Sequence, residues 1–154
     1  MPARTWILTG SPENLAATRA HDFSVIGLKE RRRRQALEIE LGDRLIFYVT
    51  RAMAFAASAR IAGELYEERT PIWPGKARNP DPYPWRFPIE PEWVLEEPEW
   101  IAAETLVGQL EHIAKWPREH WKLAFQGQLR VVGNADAQLL CARLADADAA
   151  AVRA

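Results

Sequence analysis

The chain has 154 residues, 20 Lys+Arg against 21 Asp+Glu for a formal net charge of −1, and 48% hydrophobic residues, which fits one globular domain over residues 1–154 and excludes global disorder. A single cysteine, Cys141, excludes an internal disulfide and a C-x-x-C zinc site, as expected of a cytoplasmic protein. The first residues lack the apolar stretch of a signal peptide, and the densest apolar run, Leu45 to Val49, is far short of the ~20 residues that span a bilayer, so no membrane partner is expected.

Thr5 to Thr9 reads as a short apolar strand. Ser11-Pro12-Glu13 then starts a helix, with Ser11 as N-cap, Pro12 at the first helical position and the end near His21. Phe23 to Ile26 forms a second brief strand, and Lys29 to Glu40 has helical composition. Gly42-Asp43 marks a turn before a buried strand from Asp43 to Arg51. Residues 55–65 alternate, with Phe55, Ala57, Ala59, Ile61, Gly63 and Leu65 facing one way and Ser58, Arg60 and Glu64 the other. Prolines, Gly75 and Asn79 make Thr70 to Pro82 a loop. Tyr83, Trp85, Phe87 and Ile89 alternate again, on a strand that Pro84 and Pro88 restrict to an edge or to bulged geometry. Glu104 to Ile113 and a turn after Pro117 read as helical, Gln128 to Val132 as the last strand, and Asp136 to Leu144 as a closing helix with a frayed alanine-rich tail. Irregularly interleaved strands and helices indicate an α+β domain built on a small curved sheet or barrel.

No catalytic constellation emerges. Gly10-Ser11-Pro12 lacks the second glycine of a nucleophile elbow, and no Gly-rich phosphate loop follows a strand. His112 and His120 are separated by Pro117, cannot share a helical face, and read as solvated surface rather than metal ligands. Glutamates 90–99 sit among solvated charges. Neither an enzyme nor a cofactor or metal is expected.

Binding features are stronger. Residues 1–60 hold ten Lys/Arg against six Asp/Glu, and Lys29-Glu30-Arg31-Arg32-Arg33-Arg34 opens a helix where cations oppose the macrodipole. Such a run holds phosphates, or pairs with Glu38 and Glu40 as a solvated face. Seven tryptophans are the sharper anomaly. Trp73, in a proline-bounded loop, and Trp85, just after it, either stack on a planar base or close over the core.

Trp6-x-Leu8-x-x-Ser11-x-Glu13-Asn14, Val25-Ile26-Gly27-Leu28, the basic helix, Leu41-Gly42-Asp43-x-Leu45-x-Phe47-Tyr48-Val49 and Tyr83-Pro84-Trp85-Arg86 together resemble an EVE domain, a PUA-like family related to the YTH readers of methylated RNA. The resemblance covers residues 5–144 and implies a twisted β-barrel of about five to six strands flanked by helices. It implies a non-catalytic pocket for a modified or flipped base in DNA or RNA, or for a free nucleobase or nucleoside-like small molecule. Carried across, Ser11 and Asn14 lie at the pocket rim, with Asn14 reading a base edge. Ile26 stands where close relatives often have tryptophan and forms an aliphatic wall. Gly27, Tyr83, and Trp73 or Trp85 complete the base site, and Lys29, Arg31, Arg32 and Arg34 take phosphates.

Overall fold

In the computed structural model, which describes residues 3–74 and 80–153, the strands in chain order are β1 (Thr5–Gly10), β2 (Val25–Leu28), β3 (Arg44–Val49), β4 (Ala54–Ile61), β5 (Tyr66–Glu67), β6 (Trp85–Val94), β7 (Ile101–Ala102) and β8 (Leu129–Val132). The α-helices are α1 (Pro12–Ala20), α2 (Arg33–Ala36) and α3 (Asn134–Arg153). The expected loop residues Gly75 and Asn79 lie outside the described residues.

One mixed sheet runs in the order β2-β6-β4-β3-β1-β8, with the two-residue β5 and β7 attached to β6 and β4. β1 and β3 are parallel, and the other pairs are antiparallel. The sheet is curled, because Gln128, one residue before the β8 edge, donates from Nε2 to the Gly27 carbonyl of the opposite edge at 3.2 Å. Both faces are covered, which explains why Trp6 to Leu8 of β1 and Leu45 to Val49 of β3 are apolar without alternation. Trp6, Leu8, Leu45 and Phe47 join an inner core with Leu15, Phe23, Ile26 and Phe87. Ile7, Ile46 and Tyr48 join an outer core with Phe125 and with Leu140 and Leu144 of α3. Asp43 anchors the start of β3 by accepting the Trp6 indole N–H and the Arg4 amide, each at 3.0 Å.

Several elements differ from the sequence expectation. Phe47 pairs with Ala57 but Tyr48 with Phe55, so Ala56 is the extra residue of a bulge. The bulge turns Phe55 into the outer core while Ala57, Ala59 and Ile61 face the inner one, and the strand ends at Ile61 rather than running to residue 65. β6 is central rather than an edge, and its pairing with β4 is bulged, the other of the two expected geometries. Residues 85–88 pair with β2, residues 89–94 with β4, and the register shift between Ser58 and Ala59 leaves Glu92, next to Pro91, as the extra residue.

The expected helix over residues 29–40 shortens to a 3-10 turn, Glu30–Arg32, followed by α2. The expected helix over 104–113 is replaced by 3-10 turns at Ala103–Leu106 and Ile113–Lys115, while the turn expected after Pro117 is the 3-10 run Arg118–Phe125. A cationic first turn opposing the helix dipole accounts for the weak helix at Arg31 to Arg34. The tail after Leu144 continues α3 to Arg153, where its alanines favour helix.

Candidate functional site

The site grows from the start of α1. The Ser11 hydroxyl accepts the Asn14 amide at 3.1 Å, capping the helix, with Pro12 at its first position and Glu13 in its first turn. Asn14 therefore has its backbone fixed and its side chain left over. Its Nδ2 donates to the Tyr83 hydroxyl at 3.1 Å, while Oδ1 is buried and has no partner.

Tyr83 is held at φ +52°, in the left-handed region, by three contacts. Its amide donates to Asp81 Oδ1 at 2.9 Å, its carbonyl accepts from Arg86 Nε at 3.1 Å, and its hydroxyl takes Asn14. Beside it, the Trp73 indole N–H donates to Thr18 Oγ1 at 2.8 Å, and Thr18 in turn donates to the Asn14 carbonyl at 3.1 Å. Gly27 permits this arrangement. A Cβ there would lie 2.4 Å from Trp73 Cζ3 and 2.8 Å from the Tyr83 carbonyl oxygen, so only glycine lets the loop rest on β2.

These residues line a cavity of about 40 Å³ between β1, α1, β2 and the end of β3, room for a few waters. It opens into a cleft of about 810 Å³ through a neck formed by Thr9, Gly10, Ser11, Asn14, Tyr83 and Gln128, which border both spaces. No charged side chain lines the inner cavity, whereas the cleft carries Lys29 and Arg31 against Glu13 and Asp81. Glu13 pairs with Arg51, whose guanidinium is the main reason its carboxyl is held below the ordinary value.

Gln128 was not foreseen from the sequence. Its side-chain amide donates to the Gly27 carbonyl and accepts the Lys29 amide at 3.0 Å, while its backbone carbonyl accepts the Thr9 amide at 2.8 Å. A parallel strand beside β2 would meet the same two groups, so one side chain stitches the open seam of the barrel. Nothing local marks it; the signal is only its place before β8.

Of the expected base-site residues, the fold gathers Ser11, Asn14, Ile26, Gly27, Trp73 and Tyr83 around the cavity. Trp85 is a correction. Alternation along β6 turns it with Phe87 toward the inner core opposite Leu28, and the Arg33 guanidinium covers its ring at 5.3 Å. The aromatic groups at the cavity are therefore Trp73 and Tyr83 from the loop, together with Phe47 and Tyr48 of β3.

The basic run divides. Lys29 and Arg31 line the cleft. Arg32 is half-buried and donates to Gln35 Oε1 at 3.2 Å; burial, then the charges of Arg31 and Arg130, lower its pKa. Arg34 is exposed and does not line the cleft.

His112 is also corrected: it is buried, not solvated, with Nε2 2.7 Å from the Ala124 carbonyl and Nδ1 unpartnered. Burial depresses its pKa most strongly; the Ala124 bond opposes this, Lys115 and Arg130 add to it, and Asp136 opposes it. Glu92 is half-buried rather than solvated. Burial raises its pKa, but its contacts with Arg44 at 2.8 Å and Arg60 at 3.1 Å outweigh burial and hold it below the ordinary value. Among the described residues no group of His, Cys, Asp and Glu is placed to hold a metal, and no helix is long and apolar enough to cross a membrane.

The sequence model of the EVE domain matches residues 4–141. No curated protein matches the chain by sequence. Among solved structures, the YTH domain of Mmi1 in complex with RNA aligns with a TM-score of 0.65 at 13% identity, covering 94% of this chain and 79% of that one. A protein from Rhodopseudomonas palustris aligns at 0.56 and 14% identity, covering 93% and 94%, and one from Pseudomonas syringae at 0.57 and 15%, covering 91% and 99%. At these identities the likeness is one of fold.

Proposed function

The chain belongs to the EVE domain family, and from that premise we propose that it reads a modified or flipped nucleobase in DNA or RNA through this pocket, without catalysis and without a cofactor. The observation that carries the reading is the buried, unpartnered Oδ1 of Asn14 beside the Tyr83 hydroxyl. A buried acceptor without a donor costs ~1–3 kcal/mol, and a ligand N–H recovers it. Because Asn14 donates to Tyr83, the phenol keeps its own proton to give. An acceptor and a donor side by side match the edge of a nucleobase, where a ring N–H or amino group adjoins an acceptor.

The base ring enters the neck and directs its polar edge at Asn14, with Trp73 offering a π-face. Stacking of that kind is worth ~1–3 kcal/mol per base, which offsets the few kcal/mol of extrusion from a duplex. Lys29 and Arg31 meet the flanking phosphates in the cleft. The similarly folded Mmi1 domain is seen with RNA, which supports a nucleic-acid partner.

Binding to arrays of modified and unmodified DNA and RNA oligonucleotides identifies the base, and Asn14→Ala tests its reader. The variant loses the Tyr83 bond but also removes the orphan oxygen and gains helix propensity, so its stability stays near wild type. Affinity falls by ~1–3 kcal/mol because the ligand group is left unsatisfied. Full affinity in the folded variant refutes the placement.

One observation favours a second reading, a free nucleobase or nucleoside-like small molecule in the same pocket: the two cations lining the cleft face two carboxylates. Salt separates the readings, since phosphate-driven binding weakens steeply with ionic strength and pocket-only binding barely moves.

A further inference from the structure

Arg86 is only 2% exposed, yet it forms no ion pair among the described residues. Its guanidinium is held by carbonyl oxygens, those of Pro82 and Tyr83 at 3.1 Å and that of Thr70, and it lies over the Trp73 ring, 5.2 Å from the centroid. Asp81 is the one acid between Thr70 and Trp85, and its carboxylate is engaged by the Glu30 and Tyr83 amides. Residues 75–79, Gly-Lys-Ala-Arg-Asn, contain no acid either. Among the described residues, then, a buried positive charge met by carbonyl dipoles and a π-face, without an ion pair, stands directly behind the aromatic wall of the cavity.

The cavity itself contains no carboxylate to counter that charge. Burying a second cation against the same indole would place two like charges on one ring system, and no carboxylate lines the cavity to neutralise either. Glu13 and Asp81 lie outside it in the cleft, Glu13 paired with Arg51 and Asp81 engaged by two amides. We propose that the pocket selects neutral, electron-rich bases and rejects cationic ones, with Arg86 setting the sign of the selection through Trp73. The inference rests on the reading that this cavity receives a nucleobase, and it names the charge class of that base.

A ring in van der Waals contact with Trp73 brings its charge within about 9 Å of the guanidinium. At an effective dielectric of about 20 the repulsion is worth roughly twentyfold in affinity. Ser11, Asn14, Tyr83 and Gln128 do not oppose this, since each is neutral.

The test uses shape-matched nucleosides differing in charge: 7-methylguanosine, measured below its titration near neutral pH, against neutral 7-deaza-7-methylguanosine, and cationic 3-methylcytidine against neutral 3-methyluridine. The four unmodified nucleosides and single-stranded oligonucleotides containing each probe complete the set. Calorimetry on the whole chain is expected to favour the neutral member of a pair by tenfold or more. Arg86→Gln is expected to shrink that preference to about threefold or less, and Arg86→Lys, which keeps the charge, to retain it.

A cationic member binding as tightly as its neutral partner overturns the inference. So does a folded Arg86→Gln that keeps the full preference. If Arg86→Gln does not fold, the wild-type pairs alone decide. Rejection of every paired probe while an unmodified nucleoside binds also overturns it, because shape alone then selects. Failure of every nucleoside and oligonucleotide removes the base-reading function itself, a distinct result.

Discussion

Gly27→Ala places one methyl group where the loop carrying Trp73 and Tyr83 rests on β2. The new Cβ would stand 2.4 and 2.9 Å from Trp73 ring carbons and 2.8 Å from the Tyr83 carbonyl oxygen, all below any ordinary contact. Neither neighbour yields freely. Trp73 is 7% exposed and bonded to Thr18, and the Tyr83 carbonyl accepts from the buried Arg86. Overpacking of this kind costs ~1–3 kcal/mol, which corresponds to a fall in Tm of roughly 3–10 °C for a domain of this size.

The displacement also moves the stacking wall and the hydroxyl bonded to Asn14, so base affinity should drop by at least ~1 kcal/mol in the molecules that remain folded. Gly108→Ala is the control, because a Cβ there meets nothing within 4 Å. Denaturant unfolding and calorimetric binding of the oligonucleotide chosen by the array should be measured on both. Wild-type stability together with wild-type affinity in Gly27→Ala would refute the claim that this glycine seats the wall.

Other perturbations separate wall, cleft and core. Trp73→Ala should destabilise by ~3–5 kcal/mol, since the ring is buried, and an unchanged melting curve would show that the ring is no part of the core. Arg31→Gln should weaken oligonucleotide binding alike for modified and unmodified sequences and make the slope of log K against log salt shallower by about one unit; an unchanged slope returns Arg31 to a solvated face. His112 is depressed by burial, so the fold prefers its neutral form while the unfolded chain protonates near pH ~6.5. Its contribution is thus complete above that value and lost as pH falls toward the folded pKa, and His112→Gln should flatten this limb of the stability profile in urea titrations at successive pH values.

Where a property depends on residues adjacent in the chain, it was legible. Ser11-Pro12-Glu13 starts α1 because capping is a local exchange between one hydroxyl and an amide three residues on. β1, β3 and β8 follow from short apolar runs, and the motif from Trp6 to Asn14 led to the cavity through Ser11 and Asn14. Other features depend on partners far along the chain. The bulge at Ala56 reverses the face of Phe55 only because β3 and β4 meet in that register. Trp73 and Trp85 look alike in sequence, yet β6 turns one toward the inner core while a loop seated on Gly27 brings the other to the pocket. His112 reads as a surface group until packing strips it of solvent, and nothing in the motif around Arg86 marks that side chain as buried. Gln128 reaches Lys29 and Gly27 across 99 and 101 residues. Such contacts arise from the curl of the sheet, which brings opposite edges together, and sheet curvature is a property of all the paired strands at once rather than of any segment.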